Sequence, residues 1–155
     1  MNDIKIREYF DEDAKKIIDL NESVFSKQEY FEIRRDKNWF EWKNFKNPFG
    51  NSIIMVSEKE NGEIVGSRIF WAWKFKVRSS IILAYQPIDT VVHPDYRGKG
   101  LFRRMTILAL KKAVEKGAKV IFNFPNMNSL PGNLKLGWNY LGKLEWYVKI
   151  FNPNY

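Results

Sequence analysis

Between Ile53 and Val92 the chain reads as three consecutive strands joined by turns too short to hold a helix, and this forces an antiparallel meander on whatever fold contains it. Ile53–Glu58 is an apolar run, and Asn61-Gly62 after it is a strong two-residue hairpin signal. The next run, Ile64 to Val77, alternates in its later half: Ile69, Trp71, Trp73, Phe75 and Val77 share one face. Arg78-Ser79-Ser80 turns the chain into a third run, Ile81–Val92. Pro87 interrupts this run, and because proline has no N–H to give, pairing must bulge or break nearby.

The flanks of the meander are helical. Asp11 is placed to cap a helix carrying Ala14, Ile17, Ile18, Val24 and Phe25 at helical spacing, after a short strand at Ile4–Glu8. An aromatic-rich region, about Gln28 to Phe45, reads as a second helix and stops at Asn47-Pro48-Phe49-Gly50. Beyond Val92 a helix is expected from about Gly100 to Lys116, then a short strand at Lys119–Phe124, a weak helix at Asn128–Leu136 and a last strand at Tyr140–Phe151. The order β-α-α-β-β-β-α-β-α-β predicts an α+β domain with a mixed central sheet and helices on both faces, read as one domain over the 155 residues.

Composition removes several chemistries. There is no cysteine and a single histidine, so a disulfide framework, a thiolate nucleophile, a cysteine-ligated zinc site and a multi-histidine metal site are not expected, and no metal is assigned. No apolar run is long enough to cross a bilayer and no basic-then-apolar leader precedes the first strand, so a cytoplasmic protein without a membrane partner is the expectation. The net charge of +8 favours an anionic partner. No helix-turn-helix or aromatic RNA-binding signature accompanies it, so nucleic acid is not the expected one.

The local sequence points instead to phosphate. Arg97-Gly98-Lys99-Gly100 lies between a strand and the first turn of a helix, where unpaired N–H groups and the helix dipole favour an anion and glycines let it come close. The spacing does not fit a Walker loop, and Arg103 stands where a dinucleotide fingerprint needs a small residue. Val91 through Gly100, with its Pro94, Arg97, Gly98 and Gly100, resembles the acetyl-CoA-binding motif of the GNAT acetyltransferase superfamily. Leu136-Gly137-Trp138 and the stretch from Trp42 to Gly50 resemble two further segments of that superfamily, and the order of elements agrees along nearly the whole chain.

The resemblance implies an acetyl-CoA-dependent N-acetyltransferase acting on a primary amine of a small molecule in a ternary complex. It implies that backbone groups of Gly98, Lys99, Gly100, Leu101 and Phe102 bind the CoA pyrophosphate beside Arg97, that main-chain groups of Val91 and Val92 pair with the pantetheine arm, and that Asn126 and Asn128 face the cofactor's far side. The sequence departs from the pattern in two places. Phe102 occupies a position usually held by Gly or Ala. Asn133 stands where many members place a tyrosine that protonates the leaving thiolate, with Tyr85, Tyr96 and Tyr140 as substitutes. Asp89 is the acidic residue best placed as general base, and Trp39 and Trp42 are candidates for the acceptor wall. The missing tyrosine keeps open an alternative, a catalytically impaired acyl-CoA-binding module. So few residues follow Gly137 that the C-terminal strand pair is expected to be incomplete, leaving an edge that a second copy of the chain could cover as a homodimer.

Overall fold

Apolar residues on both faces of the meander strands require a cover on each side, and the computed structural model supplies one. It describes residues 4–25, 36–145, 147 and 149. The elements are Lys5–Glu8 (β1), Asp13–Phe25 (α1), Lys37–Phe45 (α2), Ile53–Glu58 (β2), Ile64–Val77 (β3), Ser80–Val92 (β4), Leu101–Glu115 (α3), Val120–Ile121 (β5) and Leu130–Lys135 (α4). They fall into two compact units that divide between Asn123 and Phe124.

The first unit holds one sheet in the order β1-β2-β3-β4-β5. Its first three pairings are antiparallel and the last is parallel, so the sheet is mixed. Alternation along β2 sorts the core. Ile53 and Met55 pack with Leu101, Met105, Ala109 and Ala113 of α3. Ile54 and Val56 pack with Ala14, Ile17 and Leu20 of α1 and with Phe40 of α2. Gly66 lets α3 and β4 approach β3, since a Cβ there would lie 3.2 Å from Met105 Cε and 3.3 Å from the Val91 carbonyl oxygen. The β2–β3 hairpin turns at Asn61-Gly62 as expected: Asn61 Oδ1 accepts from Glu63 N–H and Gly62 takes a φ of 79°.

Helix starts differ in detail from the sequence expectation. α1 begins at Asp13, whose carboxylate accepts from Phe10 N–H at 2.8 Å, and Asp11 contributes its carbonyl rather than a side-chain cap. α2 begins at Lys37 because Asp36 caps it by accepting from Trp39 N–H. Residues 28–35 of the longer expected helix lie outside the described residues. The expected strand at Lys119–Phe124 pairs only over Val120–Ile121.

The second unit contains α4, preceded by a turn in which Asn126 Oδ1 accepts from the N–H groups of Asn128 and Ser129. The expected strand after Tyr140 is not formed over Tyr140–Glu145. Gly142 there has a φ of 149°, and the described strands pair only among β1 to β5. The rest of that strand, and the sheet edge offered for a homodimer, lie outside the described residues apart from Tyr147 and Lys149.

Candidate active site

β4 is bordered by strands on both sides only around Ala84 and Tyr85. Ala84 and Tyr85 pair with Val120 and Ile121, and the Tyr85 carbonyl accepts from Phe122 N–H at 3.1 Å. Alternate residues of a strand present their peptide groups to opposite edges. Residue 87 is therefore the next to face β5, and it is proline. Its missing N–H ends the parallel ladder there, while the antiparallel ladder on the other side continues through Phe70↔Pro87. From Gln86 to Val92, no described strand borders that edge of β4.

The irregularity that Pro87 signals comes two residues later. The register with β3 passes from Ile69↔Ile88 to Ser67↔Val91, so Asp89 and Thr90 together oppose Arg68 in a β-bulge. Asp89 sits in the left-handed region at a φ of 43°, which aspartate tolerates better than most residues at a cost of about 1–3 kcal/mol. The bulge turns its carboxylate toward α2, where Lys43 Nζ pairs with Oδ2. The Lys43 ammonium also lies 4.8 Å from the centroid of the Trp39 ring, and Trp71 Nε1 donates to the Lys43 carbonyl at 2.8 Å. One lysine thus holds the carboxylate and ties α2 to β3.

Beyond the bulge the strand runs into the glycine-rich turn. His93 N–H donates to the Val65 carbonyl, so Val91 faces β3 with its peptide group and Val92 faces the free edge. Arg97 Nε donates to the Val92 carbonyl at 3.2 Å and closes the turn on itself. Gly98 and Gly100 have φ values of 75° and 73°, and a Cβ on either would meet nothing within 4 Å. Glycine serves the backbone conformation here, and the space above is open to a ligand. Among the described residues, the amides of Gly98, Lys99, Gly100, Leu101, Phe102 and Arg103 donate to no protein acceptor; the first amide with one is Arg104, on the Gly100 carbonyl. Six successive free amides thus lie at the N-terminus of a fifteen-residue helix, where the helix dipole favours an anion. Lys99 Nζ lies 4.5 Å from the Tyr96 ring centroid beside it. Phe102 leaves the cradle clear, because its ring packs 4.5 Å from the Arg68 guanidinium carbon.

The sequence-predicted residues thus separate into groups. Asp89, Val92, Arg97 and Gly98 through Phe102 follow one another along the free edge and the cradle, and Val91 is buried in the core beneath them. Trp39 packs against the α1–α2 side of the sheet next to the Asp89–Lys43 pair, whereas Trp42, one turn further along α2, is 61% exposed. Asn126, Asn128 and Asn133 belong to the second unit. Asn126 is engaged in the turn before α4, and Asn133 is buried, its main-chain carbonyl accepting from Leu136 and Trp138 N–H. Lys43, Thr90 and Arg68 were not singled out from sequence. No spacing marks them, since each gains its place from a bulge whose position the sequence hints at only through Pro87. A half-buried aromatic surface was visible as alternation, but its extent was not: Phe49 stacks on Trp73 at 6.0 Å, and Phe122 meets Trp73 at 5.8 Å and Phe75 at 5.0 Å.

Among the described residues no group of acidic, histidine or cysteine side chains could hold a metal ion, and no helix is long and apolar enough to cross a membrane. No curated protein matches the chain. Solved structures do. A predicted acetyltransferase with acetyl-CoA from Clostridium acetobutylicum is similar with a TM-score of 0.78 at 14% identity, over 94% of this chain and 96% of that one. Glucosamine-6-phosphate N-acetyltransferase from Arabidopsis thaliana is similar with a TM-score of 0.70 at 20% identity, over 97% and 99%. An aminoglycoside acetyltransferase from an uncultured soil metagenomic sample, in complex with trehalose, is similar with a TM-score of 0.72 at 18% identity, over 95% and 96%. At these identities the likeness establishes the fold. The acetyltransferase (GNAT) domain family matches residues 5–141 in sequence, nearly the whole chain, and with the mixed sheet and its order of helices this establishes that the chain belongs to the GNAT family of acetyl-CoA-dependent acetyltransferases.

Proposed function

We propose that the protein is an N-acetyltransferase that moves an acetyl group from acetyl-CoA to a primary amine of a small molecule by direct attack. The observation that carries the reading is the run of six unengaged amides from Gly98 to Arg103 at the end of a strand edge that Pro87 leaves unpaired. The residues fit the cosubstrate on their own chemistry: amides and a helix N-terminus for a diphosphate, a strand edge for a pantetheine amide chain, and open space over both glycines.

In this reading Gly98 through Phe102 hold the diphosphate by main-chain N–H groups, with Arg97 and Lys99 adding charge. Val92, beside the buried Val91, offers its N–H to the pantetheine arm. When bound, acetyl-CoA supplies the activated thioester. An amide of the free β4 edge donates to the thioester oxygen, where negative charge develops. Asp89 accepts the proton of the attacking amine, and the ion pair with Lys43 holds its carboxylate in place. Trp39 borders the acceptor, and exposed Trp42 contributes to its rim. Asn126 and Asn128 serve the far side of the cofactor, and Asn133 replaces the usual tyrosine without an acidic proton to transfer, so the thiolate leaves unprotonated.

Isothermal calorimetry with acetyl-CoA tests the cofactor assignment. Binding is expected, and Gly98→Glu is expected to abolish it by placing a strained, negatively charged side chain over the cradle. Undiminished affinity in that variant would defeat the reading. Thiol release across a panel of amines tests the catalysis, with Asp89→Asn expected to lower kcat by roughly a hundredfold or more at unchanged acetyl-CoA affinity. Tight binding with no thiol release from any amine would make the chain an acyl-CoA-binding module instead, the reading that Asn133 favours.

A further inference from the structure

Arg68 lies outside the residues assigned above and is among the largest fully buried side chains, with 1% of its surface exposed. Its Nη1 donates to Thr90 Oγ1 in the β4 bulge. Its guanidinium carbon stands 4.5 Å from the centroid of Phe102, in the first turn of α3, and 5.6 Å from that of Phe70. One buried cation therefore touches both parts of the site, the free strand edge through Thr90 and the floor of the cradle through Phe102. Burial disfavours its charge enough to lower its pKa to about 10, which still leaves it protonated at neutral pH. Burying a cation is costly, and an apolar side chain of similar volume often serves stability as well or better. A charge in the low-dielectric interior beneath a helix N-terminus acts on an anion there with less screening than a surface lysine does.

Resting on the reading that the cradle binds the CoA diphosphate, we propose that Arg68 is a positioning residue of the cofactor site. It sets Thr90 and Phe102 in register with each other and supplies, from beneath the cradle, positive charge that the diphosphate meets.

The test compares two ligands and three variants by calorimetry and competition. Acetyl-CoA carries the diphosphate, and S-acetylpantetheine lacks it. Arg68→Met is expected to bind acetyl-CoA about tenfold more weakly and S-acetylpantetheine with a much smaller loss. Arg68→Lys, which keeps the charge, is expected to recover most of the acetyl-CoA affinity. Arg68→Gln, which keeps a donor for Thr90 but no charge, covers the case in which the methionine variant does not fold, and is expected to show the same selective loss. Wild-type affinity for acetyl-CoA in the Met or Gln variant overturns the inference, and so does an equal loss for both ligands, which a merely structural role would produce. A wild-type chain that binds neither ligand overturns the underlying cofactor reading and this inference with it.

Discussion

Arg7 does for the fold what Arg68 does for the site, joining parts distant in sequence through one guanidinium. Its Nη1 and Nη2 donate to Asp13 at 2.6 and 2.9 Å, and its Nε and Nη2 donate to Glu58 at 2.8 and 2.7 Å. The fork thereby locks the start of α1 to β1 and β2. Asp13 has no exposed surface, so removing its partner strands a buried carboxylate. Arg7→Met is expected to lower stability by about 3–5 kcal/mol in urea denaturation at neutral pH. Both carboxyls are held below their ordinary pKa. For Asp13, burial pushes the pKa up, but the Arg7 fork and the Phe10 N–H together outweigh it; for Glu58 the Arg7 hydrogen bonds dominate. A carboxylate whose folded pKa is depressed contributes stability that is complete above the ordinary carboxylate range, about pH 4, and is lost as pH falls through the lowered folded value. The stability gap between wild type and Arg7→Met should therefore narrow as the pH is taken from 7 to about 3. A gap that stays constant over that range would mean the network contributes packing and not charge.

β4 is where one element carries the most function, and two features explain how. Pro87 ends pairing on the β5 side without disturbing β3, and the Asp89–Thr90 bulge then rotates the strand so that Asp89 meets α2 and Thr90 meets Arg68. Restoring the amide should undo the first effect. Pro87→Val is expected to add a hydrogen bond to the Phe122 carbonyl, worth about 1 kcal/mol, leaving stability equal or improved. The narrower opening should raise the KM for acetyl-CoA by roughly fivefold, read from initial rates, with a protected new amide at the substituted position and slower hydrogen exchange at Phe122 as the structural signature. An unchanged KM would show that the opening is set elsewhere. The same strand shows what sequence could reveal. The meander, the glycine-rich turn before α3 and the irregularity near Pro87 were legible because each rests on local chemistry: turn residues, glycines before a helix, a missing N–H. The Asp89–Lys43 and Arg68–Thr90 pairs were not, because a one-residue bulge changes which face each side chain takes and local sequence does not state its position. Over Tyr140–Glu145 the expected strand is not formed for a related reason. Apolar residues there suggest one, but strand structure also needs a neighbour, and Gly142 breaks the extended run.

At the scale of the whole molecule, the +8 charge, the two-sided core and the cradle act on one another through linkage. α3 contributes Leu101, Met105, Ala109 and Ala113 to the core under the sheet, and the same helix presents the free amides at its N-terminus. A ligand gripping those amides stabilises the native state alone, since the unfolded chain holds no such array. Acetyl-CoA at a hundred times its Kd should add about 2.7 kcal/mol to the unfolding free energy. For a chain of this size that corresponds to a rise in Tm of roughly 5–10 °C. The rise should shrink as sodium chloride is increased, because exposed Arg97 and Lys99 are screened while the helix N-terminus is less so. Gly98→Glu, which fills the cradle without touching the core, should melt near the wild-type temperature without ligand and show no rise with it. Differential scanning calorimetry of the two chains, with and without acetyl-CoA, separates these terms. An equal rise in the glutamate variant would place the ligand somewhere other than the start of α3, and a large drop in its ligand-free Tm would mean that the left-handed turn supports the fold as well as the site.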